Sequence, residues 1–245
     1  MVQENRSTFG KGKQMQLNIL YEDTQIIVCE KKPGVPVQSD KTMDFDLVNQ
    51  LKNYCYEKDN RKPPYIGLVH RLDRPVGGVM VFAKTPFAAK ELSRQIQENL
   101  VEKHYLCVVT KDLSTEQGME KKKLTDYLKK DARQNVSVIV PKSDKNGKKA
   151  ELFYKVLQVK EECSLIEVEL ITGRHHQIRV QMSAHVAGLW GDTKYNPNQA
   201  KETGWKEIAL FSHRLSFCHP KTKKKMTFSL KPEGEIWGRF SEIDF

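Results

Sequence analysis

The chain reads as an α/β protein of the α+β type, a mixed and mainly antiparallel sheet with helices packed against it. Three observations point there. Apolar, β-branched runs of strand length outnumber stretches with helical spacing. Several of these runs follow one another directly, separated only by turn-forming residues. No internal repeat of roughly 20–50 residues divides the chain into arrayed units.

The elements follow in order. Residues 1–15 read as a disordered basic lead-in, with Gly10 and Gly12 among Lys11 and Lys13, and residues 16–245 as one domain. Gln25–Glu30 is an apolar strand, and Lys31-Lys-Pro-Gly34 a turn. Between Asp44 and Lys58 the apolar residues Phe45, Leu47, Val48, Leu51 and Tyr54 recur at helical spacing. Ile66–His70 and Gly78–Ala83 are two strands joined by a loop holding Pro75, Gly77 and Gly78. Thr85-Pro86 opens a helix with Pro at its first position, and Phe87, Ala88, Leu92 and Ile96 carry it to about Asn99. His104–Thr110 is a strand. Residues 113–135 are lysine-rich with weak periodicity and read as an exposed insertion containing a short strand, Leu124–Leu128. Val136–Val140, Ala150–Val159 and Leu165–Ile171 are three further strands, the first two separated by turn composition at 141–149. Residues 175–187 read as a helix following Thr172-Gly173. Ala209–Cys218 and Met226–Leu230 form a hairpin around His219-Pro-Lys-Thr222.

Composition narrows the function. The chain has 245 residues, with 41 Lys and Arg against 31 Asp and Glu, a formal net charge of +10. Such an excess of positive charge suits a polyanionic partner, nucleic acid foremost, or else a solvated lysine-rich surface. No apolar stretch reaches transmembrane length, and the polar N-terminus lacks a secretory signal's apolar core. The five cysteines (Cys29, Cys55, Cys107, Cys163, Cys218) are widely spaced with no C-x-x-C pair, as expected of reduced thiols in a cytoplasmic protein. The sequons at Asn5 and Asn135 then carry no meaning. There is no G-x-G-x-x-G, P-loop, H-E-x-x-H or G-x-S-x-G, so nucleotide-driven chemistry and a hydrolase triad find no support.

Three segments could carry chemistry. Leu68–Val81 places His70, Arg71, Asp73 and Arg74 in a loop between two apolar strands. A carboxylate among arginines stays ionised, suiting a nucleophile or base; equally, Asp73 could order the turn and pair with Arg74. In Ile171–Met182 a helix would begin near a glycine turn, a natural seat for phosphate or carboxylate. On that helix His175 and His176 would share a face with Arg179. Arg179 lies between Ile178 and Val180, and a buried arginine needs an anionic partner. His175 and His176 could also ligate a metal, although adjacent histidines rarely hold one ion. In Val101–Val109, Tyr105 reads as core.

His70-Arg-Leu-Asp-Arg-Pro-Val-Gly-Gly78 resembles the H-R-L-D-x-x-T-S-G signature of RNA pseudouridine synthases of the RluA family. Four further places carry the same resemblance: Ile19–Gln38 with its K-P-x-G segment; Glu102-Lys-His-Tyr-Leu106; Thr172-Gly-Arg-His-His-Gln-Ile-Arg-Val180 followed by Gly191-Asp192 and Tyr195; and Leu215-Ser-Phe-Cys-His-Pro220. The match runs in the family's order over roughly 16–232. It implies the pseudouridine synthase fold and isomerisation of uridine in structured RNA, ribosomal or transfer, by a monomer without cofactor or metal. It further implies catalytic Asp73, with Arg179 pairing to it and Tyr105 against the uracil. Ile178 would be the apolar contact beside that tyrosine, and Arg71 would reach into the RNA. His70, Arg74, Arg174, His176 and Gln177 would be the remaining RNA-side residues. Lys121–Lys123 and Lys221–Lys225 would add non-specific phosphate affinity.

The sequence departs from the family pattern at Val76 and Gly77, where Thr-Ser is usual, and at Lys32; His175 fills a variable position. With about 15 residues before it, the synthase region is expected to work without an S4-type RNA-binding domain and to select RNA through its own surface, including the lysine-rich stretch 113–135. Two rivals are a non-catalytic RNA- or ribosome-binding protein of the same fold and a metal-dependent hydrolase using His70, Asp73, His175 and His176.

Overall fold

A computed structural model of the chain describes residues 17–39, 46–59, 64–199 and 207–240. The basic lead-in and the expected helix start at Asp44 lie outside these residues. Among the described residues eleven strands join in one sheet. They are β1 (Ile19–Glu22), β2 (Ile26–Lys31), β3 (Gly67–Leu68), β4 (Gly77–Ala83), β5 (Glu102–Val109), β6 (Lys122–Asp131), β7 (Val136–Val140), β8 (Lys148–Lys160), β9 (Cys163–Leu170), β10 (Leu210–Cys218) and β11 (Lys225–Ser229). The main path runs β1-β2-β4-β10-β5-β9-β8-β6-β7, with β3 on β4 and β11 on β10. Among the described residues the single parallel ladder is β4 with β10. The expectation of a mixed, mainly antiparallel sheet therefore holds.

Apolar residues on successive positions explain how the sheet is covered on both faces. Side chains alternate along a strand. In β2, Ile27 and Cys29 join one core cluster with Met80, Phe82 and Cys107. The same cluster takes Leu47, Val48, Leu51 and Cys55 of α1 (Leu47–Asp59) and Ile178 and Met182 of α3 (Gln177–His185). Ile26 and Val28 point the other way, joining Val79 and Val81 with Ala88 and Leu92 of α2 (Pro86–Gln97). Thr85 caps α2 as its sequence promised, Oγ1 accepting from the Ala88 amide at 3.1 Å. The short α4 (Glu235–Gly238) sets Trp237 over Leu106 and Val108. No disulfide links the described cysteines, and no described helix is long and apolar enough to cross a membrane.

Three expectations change. The strand at Ile66–His70 shrinks to Gly67–Leu68, because the chain turns toward the Asp73 loop. The lysine-rich stretch is largely exposed and holds a strand, as expected, but the strand is longer than Leu124–Leu128. Its core is a ten-residue strand, β6, laddered to both β7 and β8. Its period was weak because lysines stand on its solvent side, Lys121 and Lys123 lying over the Phe153 ring at 4.9 and 5.5 Å. The third change concerns α3. It starts at Gln177, and His176 takes a left-handed backbone, φ 53°. His175 thus stands before the helix, and the shared helical face with Arg179 does not form.

One close approach fixes the centre of the sheet. Gly78, at φ 124°, pairs with Ser212, which pairs in turn with Tyr105. A Cβ on Gly78 would overlap the Ser212 backbone. Glycine here lets β4 and β10 approach with the loop before β4 held beside β5.

Candidate active site

The Asp73 loop is pinned from below by a buried lysine. Lys31 is fully buried, and its Nζ donates to the carbonyls of Lys32 (3.2 Å), Arg74 (2.9 Å) and Val76 (2.7 Å). Burial pulls its pKa toward about 7; Asp73's charge opposes this and Arg74's adds to it. Three carbonyl acceptors favour the ammonium. The loop closes on itself through the Val76 amide and the Asp73 carbonyl (3.0 Å). It is tied to the preceding turn by the Gly34 amide donating to the Arg74 carbonyl (2.9 Å) and by Arg74 Nε donating to the Gly34 carbonyl (3.0 Å).

Arg179 supplies the opposite wall. Its Nε and Nη2 both donate to the Asp192 carboxylate at 2.8 Å, and its Nη1 reaches Asp73 Oδ2 at 3.3 Å. The Arg179 and Asp192 side chains are 4% and 0% exposed, Asp73 27%. Burial opposes the guanidinium's charge, but hydrogen bonds and attraction from Asp192, then Asp73, raise its pKa above the ordinary value. The Tyr195 ring lies 5.1 Å from the guanidinium. Asp192 is thus the anionic partner that a buried arginine requires, and Asp73 takes the one arm left over.

His176 stands beside the same carboxylate. Tyr195 Oη accepts from the Ser137 amide (2.6 Å) and shares a hydrogen bond with His176 Nδ1 (2.9 Å). His176 Nε2 lies 3.6 Å from Asp73 Oδ2. Burial pushes the His176 pKa down to about 4 against Asp73's pull. His175 stacks on the His176 ring at 3.8 Å and meets Ser137 Oγ through Nδ1 at 3.0 Å. Each histidine is occupied separately, and among the described residues no three His, Cys, Asp or Glu side chains form a metal-ligating group.

Tyr105 projects from β5, 7% exposed. Burial, then the Asp73 charge, raises its hydroxyl pKa, while a hydrogen bond with Ser212 opposes this; it is a neutral phenol. Ile178, from α3, joins the same apolar cluster. Asp73, Tyr105, Ile178 and Arg179 all line one cleft of about 1310 Å³, with Arg71, Arg74, Lys103, Lys130, Arg174 and Lys194 around it. Arg71, Arg74 and Arg174 are exposed. Arg174 Nε donates to the Lys149 carbonyl at 2.9 Å.

Two expected RNA-side residues turn inward. Gln177 is buried; its Oε1 accepts from Thr172 Oγ1 (2.8 Å) and the Arg174 amide (3.0 Å), and its Nε2 donates to the Glu151 carbonyl (3.1 Å). It shapes the 172–176 loop. His70 Nε2 accepts from the Val81 amide at 3.1 Å, and burial, then Lys103's charge, lowers its pKa to about 4. Asp73, His175 and His176 lie together and His70 is engaged by the Val81 amide, but the four residues of the hydrolase reading form no metal-ligating group among the described residues. The surface lysines are already engaged: Lys121 with Glu169 (2.6 Å), Lys122 with Glu116 (3.1 Å) and Lys123 with Glu151 (2.7 Å).

The depressed histidines have a pH consequence. His70 binds a proton near pH 6.5 when unfolded but only near 4 when folded. The unfolded state therefore holds more protons in between, and stability falls as pH drops from 6.5 toward 4. Between pH 6.5 and 5 the loss per histidine is about 1.5 kcal/mol. His70→Gln, which keeps an acceptor for Val81, should flatten the Tm profile over that interval; an unchanged slope would show that His70 is not held neutral.

Sequence reasoning missed Lys31, Lys103, Asp192 and Tyr195 as site residues. Asp192 and Tyr195 stood in a quoted motif without a role, and the need for an anion beside Arg179 was the signal that leads to Asp192.

A carboxylate held by a buried arginine, beside a neutral tyrosine in a cleft ringed by basic residues, suits a polyanionic substrate. The model of the RNA pseudouridylate synthase family matches residues 25–184, and the chain belongs to that family. It is 33% identical over 240 residues to the ribosomal large subunit pseudouridine synthase D of Neisseria meningitidis serogroup B, covering 94% of this chain and 62% of that one. It is 31% identical over 212 residues to an uncharacterized RNA pseudouridine synthase of Mycoplasma pneumoniae, covering 86% and 65%. The chain thus spans somewhat less than two thirds of the length of these relatives. Human RNA pseudouridylate synthase domain containing 4 shares the fold, with a TM-score of 0.71 at 20% identity over 91% of this chain and 90% of that one.

Proposed function

We propose that the protein isomerises uridine to pseudouridine in large-subunit ribosomal RNA, with Asp73 as the catalytic residue. The observation that carries this reading is Arg179 Nη1 held 3.3 Å from Asp73 Oδ2 inside a cleft lined by Tyr105. The name of the Neisseria relative, a ribosomal large subunit pseudouridine synthase, supports the ribosomal substrate. A volume of about 1310 Å³ exceeds the roughly 300–1,000 Å³ of common small-molecule pockets and suits an extruded nucleotide with its flanking backbone.

The uridine leaves the stack and meets Tyr105, with Ile178 beside it. Asp73 attacks C1′ or removes a sugar proton, and the N1–C1′ bond breaks. The enclosed uracil rotates and C5 bonds to C1′, which breaks the Asp73–C1′ ester on the first route or is accompanied by return of the proton from Asp73 to the sugar on the second; the C5 proton is then lost and N1 gains one. Atoms and electrons balance without hydride transfer or hydrolysis, so the reaction calls for neither redox cofactor nor metal. Arg71, Arg74 and Arg174 meet phosphate at the rim. The protein works as a cytoplasmic monomer.

Tritium release from RNA labelled at C5 of uridine tests this. Release is expected from large-subunit ribosomal RNA and not from tRNA. Release from tRNA alone would move the substrate; release from neither, by protein that binds both, would sink the isomerase reading.

A further inference from the structure

Lys103 is a cation that nothing around it neutralises. Only 9% of the residue is exposed. No hydrogen bond or carboxylate pairs with its Nζ among the described residues; burial, with Arg174's charge adding to it, lowers its pKa. It also depresses His70 electrostatically. A lysine with a buried stem, whose ammonium opens on the cleft beside another cation, is tolerated where an anion arrives from outside.

Its placement says where that anion sits. Lys103 and Tyr105 are two residues apart on β5, so they leave the same face of the strand, about 6.7 Å apart along it. Both line the cleft, and His104 between them does not. Over Lys103 stands Gly173. This glycine has no positive φ to require it. A Cβ there would meet one heavy atom within 4 Å, Lys103 Nζ, at 4.0 Å. Any side chain at 173 would grow beside the ammonium, so glycine leaves it open to the cleft. Arg174, the next residue, lines the same opening.

We infer that Lys103 and Arg174, beneath the opening left by Gly173, bind a backbone phosphate of the RNA immediately beside the uridine that faces Tyr105. This rests on the function proposed above and adds a built anion seat, distinct from the surface lysines Lys121, Lys122 and Lys123, which are paired with carboxylates.

The test compares wild type, Lys103→Met, Lys103→Arg and Gly173→Val on a large-subunit ribosomal RNA transcript. Affinity is measured as a function of NaCl, and kcat and KM by tritium release. Lys103→Met should lower the slope of log K against log[salt] by about 0.7–0.9, one phosphate contact. KM should rise about tenfold with kcat little changed, because a phosphate is held equally in ground and transition states. Lys103→Arg should keep most of the slope. Gly173→Val, with the ammonium intact but covered, should lose it as Lys103→Met does. This second variant decides the matter if Lys103→Met fails to fold. An unchanged slope in either folded variant overturns the seat, as does failure of the wild type to bind the transcript. A lowered slope in protein that releases no tritium would sink the isomerase reading and leave the seat standing; tritium release with an unchanged slope would do the reverse.

Discussion

Asp73→Asn should abolish tritium release while leaving the protein folded. Asparagine keeps the shape of the side chain, and one oxygen can still accept from Arg179 Nη1. What is lost is the charge. Arg179 keeps both bonds to Asp192, so no buried cation is orphaned. Asp73 is 27% exposed and its contact with Arg179 is long at 3.3 Å, so the pair adds no more than about 1 kcal/mol to stability. Tm should therefore stay within about 4 °C of wild type. Activity behaves differently. Removing a general base costs about 10²–10⁴-fold, and removing a nucleophile up to about 10⁶-fold. The size of the loss thus bears on whether Asp73 takes a proton or attacks C1′. Residual kcat within tenfold of wild type, in folded protein, would remove Asp73 from the chemistry.

The parts legible in the sequence are those set by local rules. Alternating apolar runs gave β2, β4, β5 and β7–β11, and Thr85-Pro86 gave the start of α2. Asp73, Tyr105 and Arg179 come together in the cleft as the family resemblance implied. The illegible parts depend on contacts far apart in the chain. Lys31 reads as one more basic residue until Arg74 and Val76, more than forty positions on, present their carbonyls to it. The left-handed His176 shortens α3 because its side chain is held by Tyr195, on a segment that no periodicity connects to it. β6 read as a shorter strand because solvent-facing lysines hide its alternation; its ladders to β7 and β8 extend it to Lys122–Asp131. Gln177 and His70 belong to a signature and line the cleft, yet Gln177 and the Nε2 of His70 are engaged by the protein's own groups. A motif shows which residues occur together and not which of them face the ligand.

Asp192→Ala tests the least legible claim, that a buried ion pair aims Arg179. The variant leaves a 4%-exposed guanidinium with the single long contact to Asp73. It also strips the Lys194 and Tyr195 amides of the oxygen they donate to, at 3.0 and 3.2 Å. An uncompensated buried charge costs about 3–5 kcal/mol, which for a chain of this size lowers Tm by about 6–20 °C. Arg179→Met should cost about as much, by leaving Asp192 unpaired. The double variant Arg179→Met with Asp192→Leu removes both charges, so its destabilisation should be well below the sum of the singles. Its activity should not return, because Asp73 then faces no cation. Additive losses in Tm would show that the two side chains are not coupled. Recovery of stability together with activity would show that the pair serves the fold alone and that Arg179 has no part in positioning Asp73.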